Sequence, residues 1–189
     1  KLEEIEVTNK MKYATSGKCG DNLTWSYGSG VLTISGTGAM YDYPVYDTPS
    51  SSQCMPWYNY KSAITTVNIA EGVTTIGACA FWGCSSLTSV TTPATISTIG
   101  FGAFCDCSGL QQVTIKAGFV GESAFIRCTA LRTVTVGSGV TGFGISAFEN
   151  CPGLTGVYIS DLAAWCRIDF GGYLSNPLYG AKRLYLNGV

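Results

Sequence analysis

Four copies of one short apolar pattern, 23, 21 and 23 residues apart, leave this chain few folds to choose from. Ala-Phe stands at Ala80-Phe81, Ala103-Phe104, Ala124-Phe125 and Ala147-Phe148. Three residues after each phenylalanine comes a cysteine: Cys84, Cys107, Cys128, Cys151. Three further on stands a leucine (Leu87, Leu110, Leu131, Leu154), and three beyond that a valine (Val90, Val113, Val134, Val157). The second residue after each valine is Thr92, Ile115, Val136 or Ile159, and a leading half-copy reads Ile64, Val67, Ile69. A unit this short cannot bury its own apolar face, so the copies must stack, column on column, into a quasi-one-dimensional solenoid. Each fully buried Phe or Leu of these columns contributes roughly 1.5–3 kcal/mol.

Two periods coexist within a unit. Val-x-Ile alternates in and out, which predicts one short strand per unit and a parallel ladder between units. Ala-Phe-x-x-Cys-x-x-Leu places its apolar side chains on one face of a helical turn. A second extended piece, Val73-x-x-Ile76, Ile96-x-x-Ile99 and Val140-x-x-Phe143, precedes Gly77, Gly100 and Gly144, which read as tight bends. Before each cysteine stand Gly83, Asp106, Arg127 and Asn150; three of these types tolerate a left-handed conformation, so a second bend is expected there. The third unit is two residues short between Ile115 and Ala124. Its second strand is expected to be lost or pinched around Phe119-Val120-Gly121.

The ends differ. Residues 1–16 carry no repeat element and read as a linker or mobile arm. Residues 17–60 are aromatic, and two alternating runs flank Gly28-Ser-Gly30, a hairpin signal. This segment is expected to cap the first coil. The solenoid is read over 61–189, with a variant repeat at 160–189 that stops just after a strand. The natural polypeptide is therefore expected to continue.

Composition closes several functional classes. The 189 residues include no histidine, which excludes His-based triads, His metal ligands and charge switching near neutrality. A net charge of −1 gives no footprint for nucleic acid. No apolar run reaches the ~20 residues of a spanning helix, so no membrane insertion is expected. The nine cysteines do not form a zinc pattern, since Cys84, Cys107, Cys128 and Cys151 fall one per unit along the axis. They read as small buried thiols, with Cys19 and Cys54 the pair weighed for a disulfide. No metal and no cofactor is expected. Without histidine a nucleophile would need a Lys or carboxylate base, and the twelve acidic residues form no recurring pair. No enzyme and no catalytic residue is expected.

Residues flanking the inward valines point out onto one face: Thr66 and Asn68, Ser89 and Thr91, Gln112 and Thr114, Thr133 and Thr135, Gly156 and Tyr158, Arg183 and Tyr185. Tyr and Arg are enriched at binding hot spots, so Gln112, Thr114, Thr133, Thr135, Tyr158, Arg183 and Tyr185 are the candidate contact residues. The alternative is that the last three merely cover the edge of the final coil. A rival site is a sugar-stacking platform of Tyr41, Tyr43, Tyr46, Trp57 and Tyr58. Against it stands the reading in which Trp25 and Trp57 plug the open first coil.

The run Ile76-Gly-Ala-Cys-Ala-Phe-Trp-Gly-Cys-Ser-Ser-Leu-Thr-Ser-Val90, repeated with variation to about residue 159, resembles the BspA-like (Treponema pallidum-type) leucine-rich repeat family of bacterial surface proteins. Cys19-Gly-Asp-Asn-Leu-Thr-Trp25 is similar to the N-terminal segment of such proteins in gut bacteria. Leu162-Ala-Ala-Trp-Cys166 and Asn176-Pro-Leu178 resemble a variant repeat of the same group. With the periodicity, this implies a β-rich α/β solenoid: a right-handed leucine-rich-repeat coil with a parallel strand ladder, short helical turns and an N-terminal β-hairpin cap. The resemblance implies secretion or display on a bacterial cell surface and adhesion to a host or bacterial protein. Carbohydrate binding and a passive spacer role are the alternatives. The family has no shared catalytic residues to carry over.

Overall fold

The computed structural model describes residues 13–44, 54–172 and 174–187. It opens with three antiparallel strands, β1 (Ser16–Lys18), β2 (Leu23–Gly28) and β3 (Val31–Gly36). The expected hairpin closes through Ser29-Gly30, both at positive φ (49° and 83°), the conformation a two-residue hairpin turn demands. The other edge of β3 pairs in parallel with β5 (Thr66–Ile69), setting Leu32 beside Val67 and Ile34 beside Ile69. Between them β4 (Gly38–Ala39) pairs with β6 (Val73–Ile76). The coil ladder therefore starts at Val31, inside the segment read as a separate cap.

Downstream run β7 (Ser89–Thr91), β8 (Thr98–Ile99), β9 (Gln112–Val120), β10 (Thr133–Phe143), β11 (Gly156–Ile159), helix α1 (Leu162–Trp165), β12 (Asp169–Phe170), helix α2 (Leu178–Ala181) and β13 (Leu184–Leu186). One ladder aligns Val90, Val113, Val134, Val157 and Leu184 in a single row. A second aligns Ile76, Ile99, Val120, Phe143 and Phe170. Both rows face a common core, because alternate residues of a strand point to one side.

The short third unit keeps its second strand. Instead of being pinched, Phe119 and Val120 pair with Thr98 and Ile99 on one side and Gly142 and Phe143 on the other. What the two-residue deletion removes is the slack between the strands. β9 runs straight from one ladder into the other through Gly118 (φ 89°). The longer β10 absorbs its extra residues as two irregularities, between Val136 and Gly139 and between Val140 and Gly142.

The first of the two bends sits elsewhere than expected, and the second sits where it was read. Gly77, Gly100 and Gly144 lack positive φ; a Cβ on Gly77 would lie 1.9 Å from Tyr41 O, and one on Gly100 2.6 Å from Ala78 N. These glycines let successive coils touch backbone to backbone. Left-handed residues come two positions later, at Cys79, Gly102, Ser123 and Ser146, and again at Gly83, Asp106, Arg127 and Asn150. All four members of the second set take that conformation, Arg127 included. Between the two bends the chain makes linked i→i+3 turns such as Trp82 N to Cys79 O (3.2 Å) and Cys84 N to Phe81 O (3.2 Å).

Two columns hold the coils in register. Trp57, Phe81, Phe104, Phe125 and Phe148 stack with ring centroids 5.7, 5.0, 5.1 and 5.3 Å apart and planes within 20°. Beside them the cysteines act as donors as well as filler. Each Phe carbonyl accepts the thiol of the next coil's cysteine: Cys107 to Phe81 O (3.1 Å), Cys128 to Phe104 O (3.2 Å), Cys151 to Phe125 O (3.1 Å). Burial pushes the Cys84 thiol up to about 12 and raises that of Cys107 well above its ordinary value. Cys19 is buried and forms no disulfide, so the bond weighed with Cys54 is not made. On the surface of the turns, Arg127 grips Asp106 with two bonds of 2.6 Å, and Trp82 Nε1 donates to the same carboxylate at 3.0 Å.

The first ladder is broken once. β5 and β7 are not paired. Thr92 sits buried at the isoleucine station with its hydroxyl accepting from Lys116 N (3.2 Å), and Pro93, which has no N–H, ends the rung. Side chains clasp this seam: Ser86 Oγ donates to Ser62 O (2.6 Å), Thr95 Oγ1 donates to Val73 O (2.8 Å), and Ala94 N donates to Glu71 (3.2 Å).

Three outcomes follow from this packing. Phe104→Ala opens a cavity between two stacked rings and lowers unfolding free energy by about 3–5 kcal/mol in a denaturant titration. Alkylation of the native protein, read by mass spectrometry, labels exposed Cys166 first, while Cys84 and Cys107 react only once denaturant unfolds the coils. The Arg127 contact lowers the Asp106 carboxyl from 3.8 to about 2, so its stabilisation is present above the unfolded value and lost as pH falls through the folded one. The difference in melting temperature between wild type and Asp106→Asn should accordingly be full at neutral pH and shrink between about pH 4 and pH 2.

Candidate functional site

From β7 to β13 the first ladder presents its outer side as one unbroken face of exposed and half-buried side chains. Strand register places Thr114, Thr135, Tyr158 and Tyr185 in one row, and Gln112, Thr133 and Gly156 in the row beside it. Arg183 follows Gly156, its carbonyl accepting from Val157 N at 3.0 Å. All seven sequence-predicted contact residues thus share this face, although they span four rungs.

At its C-terminal end the rings of Tyr158 and Tyr185 stack, centroids 4.7 Å apart and 12° from parallel. They lie flat because of Gly156. A Cβ there would come within 3.0 Å of Tyr185 Cε2 and 3.2 Å of Tyr158 Cε2. Sequence reasoning missed this role, though the signal was present: glycine stands in a row that elsewhere holds Thr66, Ser89, Gln112, Thr133 and Arg183. It also missed Arg132, which with Gln111, Gln112, Thr133, Thr135 and Tyr158 lines a shallow groove of about 380 Å³. A second groove, of about 340 Å³, lies over the β5–β7 seam, where Lys116 reaches Glu71 at 3.5 Å.

The N-terminal aromatics divide. Trp57 is buried, stacks on Phe81, and donates Nε1 to Ala80 O at 2.8 Å. Trp25 and Tyr43 meet it edge-on at 5.8 and 5.7 Å. Buried in this way, Trp57 and Tyr43 offer no ring face to a sugar. Burial also raises the Tyr43 phenol. Tyr41 is exposed and donates to Asp21 (2.9 Å); Tyr58 is half-buried with the Lys61 ammonium 4.2 Å from its ring centre. Tyr46 lies outside the described residues.

A cleft of about 640 Å³ opens on the turn side where the phenylalanine column stops, and includes Arg127, Phe148, Cys151, Leu174 and Tyr179. By the three-residue spacing that ends in Leu184, Ser175 stands where earlier units carry phenylalanine. Its side chain is buried and spent on Gly172, to whose carbonyl it donates at 2.5 Å. Among the described residues no group of three His, Cys, Asp or Glu converges as a metal site, and no helix is long and apolar enough to cross a membrane.

A search of curated proteins finds no match. Among solved structures the chain is similar to a leucine-rich repeat protein from Eubacterium ventriosum, with 27% identity, a TM-score of 0.60 and 77% of this chain aligned to 44% of that one. The chain thus spans less than half of that relative. The T. pallidum leucine-rich repeat protein (20% identity, TM-score 0.51, 72% of this chain and 68% of that one) shares the fold. So does a leucine-rich cell surface protein from Faecalibacterium prausnitzii (19%, 0.58, 82% and 42%). The profile of the BspA type leucine-rich repeat region matches residues 56–165 in six copies, more than half of the chain. With a repeat profile, a parallel ladder and solved relatives in agreement, this chain belongs to the BspA-type leucine-rich repeat family.

Proposed function

We propose that this protein is a non-catalytic binding module displayed on or secreted from a bacterial cell, and that a protein partner docks across the face carrying Gln112, Thr114, Thr133, Thr135, Tyr158, Arg183 and Tyr185. The observation that carries this reading is the stacked Tyr158–Tyr185 pair on an otherwise small, hydroxylated sheet. Tyrosine brings a large contact area at low cost in side-chain entropy, and this pair is already ordered by its own stacking and by Gly156 beneath it. The scaffold is equally pre-formed, since parallel pairing runs unbroken from β7 to β13 through β9, β10 and β11. Surface display is supported by the F. prausnitzii neighbour, which is called a cell surface protein. Adhesion to a host or bacterial surface protein is the role that such a face would serve.

The test uses one labelled preparation on an array of purified extracellular proteins and on a glycan array. Saturable capture of a protein, weakened at least about tenfold by the Tyr158→Ala/Tyr185→Ala double variant, is the expected result. Binding to glycans alone, unchanged in that variant, overturns it.

A further inference from the structure

The charges of this chain are sorted by face. On and beside the rungs of the last three coils stand exposed Arg132 and Thr135 with half-buried Thr133, then Thr155 with half-buried Tyr158, then Lys182 and Arg183 with half-buried Tyr185. This strip carries three cations and no carboxylate. The acids of the neighbouring coils lie elsewhere. Glu122 and Glu149 are on the turn side, Asp169 is on the second ladder, and Asp161 is turned to the N-terminus of α1, accepting from Ala164 N at 2.9 Å. Asp106 is taken by Arg127. Nearer the N-terminus Lys116 is matched by Glu71. Among the described residues, no carboxylate pairs with Arg132, Lys182 or Arg183.

A chain of net charge −1 therefore presents an unneutralised cationic strip beside its only stacked tyrosine pair on this face. Arg132 lies one station before Thr133 and Arg183 is two rungs further along, about 10 Å away at the usual strand spacing. An extended segment of about three residues spans that distance, so both arginines can meet one bound segment. Arg132 also lines the groove that leads to Tyr158.

We infer that the partner presents an acidic, extended protein segment, with carboxylates against Arg132, Lys182 and Arg183 and an aromatic side chain on Tyr158 and Tyr185. This deepens, and depends on, the reading of the face as the docking site. Complementary charge here sets encounter rate and partner choice, while the aromatic contact holds the complex.

The probes are a fluorescent Glu/Tyr copolymer, a Lys/Tyr copolymer and heparin, titrated against wild type, Arg132→Glu/Arg183→Glu and Tyr158→Ala/Tyr185→Ala, with melting curves to verify folding. The Glu/Tyr copolymer should bind, weaken as salt rises from about 0.05 to about 0.5 M, and lose at least about tenfold in either double variant; the Lys/Tyr copolymer should not bind. Equal binding of both copolymers, or no loss on charge reversal, overturns the proposal. Heparin binding that ignores the tyrosine variant while displacing the Glu/Tyr copolymer also overturns it, by making the strip an anionic-glycan site. The two readings fail differently on any protein captured in the array. If capture needs the tyrosines but survives charge reversal, the docking face stands and the acidic partner falls. If capture survives both variants, both readings fall.

Discussion

Face-to-face contact between aromatic rings 5.0–5.7 Å apart sets the geometry of everything else in this molecule. That spacing is slightly wider than the separation of paired strands, about 4.8 Å, so a column of rings and a ladder of backbone can be stacked on the same axis with little conflict. The phenylalanine column fixes the rise per coil, and the strands fall into register with it. The rows of small hydroxyls on the outer face follow from that register. Where the column begins, Trp57 does the work of a phenylalanine with a larger ring and a hydrogen bond to Ala80. Where it stops, at Phe148, a cleft of about 640 Å³ opens.

The cysteine column solves a problem the rings create. Stacked phenylalanines bury the carbonyls of their own backbone; each already accepts one backbone N–H, as Phe81 O does from Cys84 N, and has a second lone pair still to fill. A thiol is small enough for the tight turn and still donates, so Cys107, Cys128 and Cys151 each satisfy a carbonyl one coil back. An alanine would fit and leave the acceptor with one partner fewer. A serine would donate more strongly but is more costly to desolvate. Cysteine is the compromise, and at Cys84 and Cys107 the same burial that makes it useful keeps the thiol protonated.

What could be read from the sequence was whatever repeats. The threefold spacing from Phe to Val and the twofold spacing within Val-x-Ile placed the inner columns and the outer rows, and register reproduces those rows down to Thr114, Thr135, Tyr158 and Tyr185. What does not repeat stayed hidden. Leu32 and Ile34 take the valine and isoleucine stations of an earlier coil, but Trp57 follows Leu32 by 25 residues where Phe81 follows Val67 by 14, so no fixed spacing ties them together. The deletion in the third unit told how many residues were missing but not whether strand or connector had shortened; the pairing of Phe119 and Val120 decides that. Glycine is ambiguous by nature. At Gly77 it serves close approach rather than a bend, and at Gly156 it serves two side chains from other positions.

The unpaired seam between β5 and β7 has a mechanical meaning. Neighbouring rungs elsewhere are joined by a backbone ladder that shares an axial load over several bonds. Across the seam the outer face depends on single side-chain clasps from Ser86, Thr95 and Glu71, while the second ladder stays continuous through β6 and β8. Stretched along its axis, such a body opens on one side first and flexes about the other. A body built this way would yield by bending at one joint, leaving the coils that carry Tyr158 and Tyr185 intact.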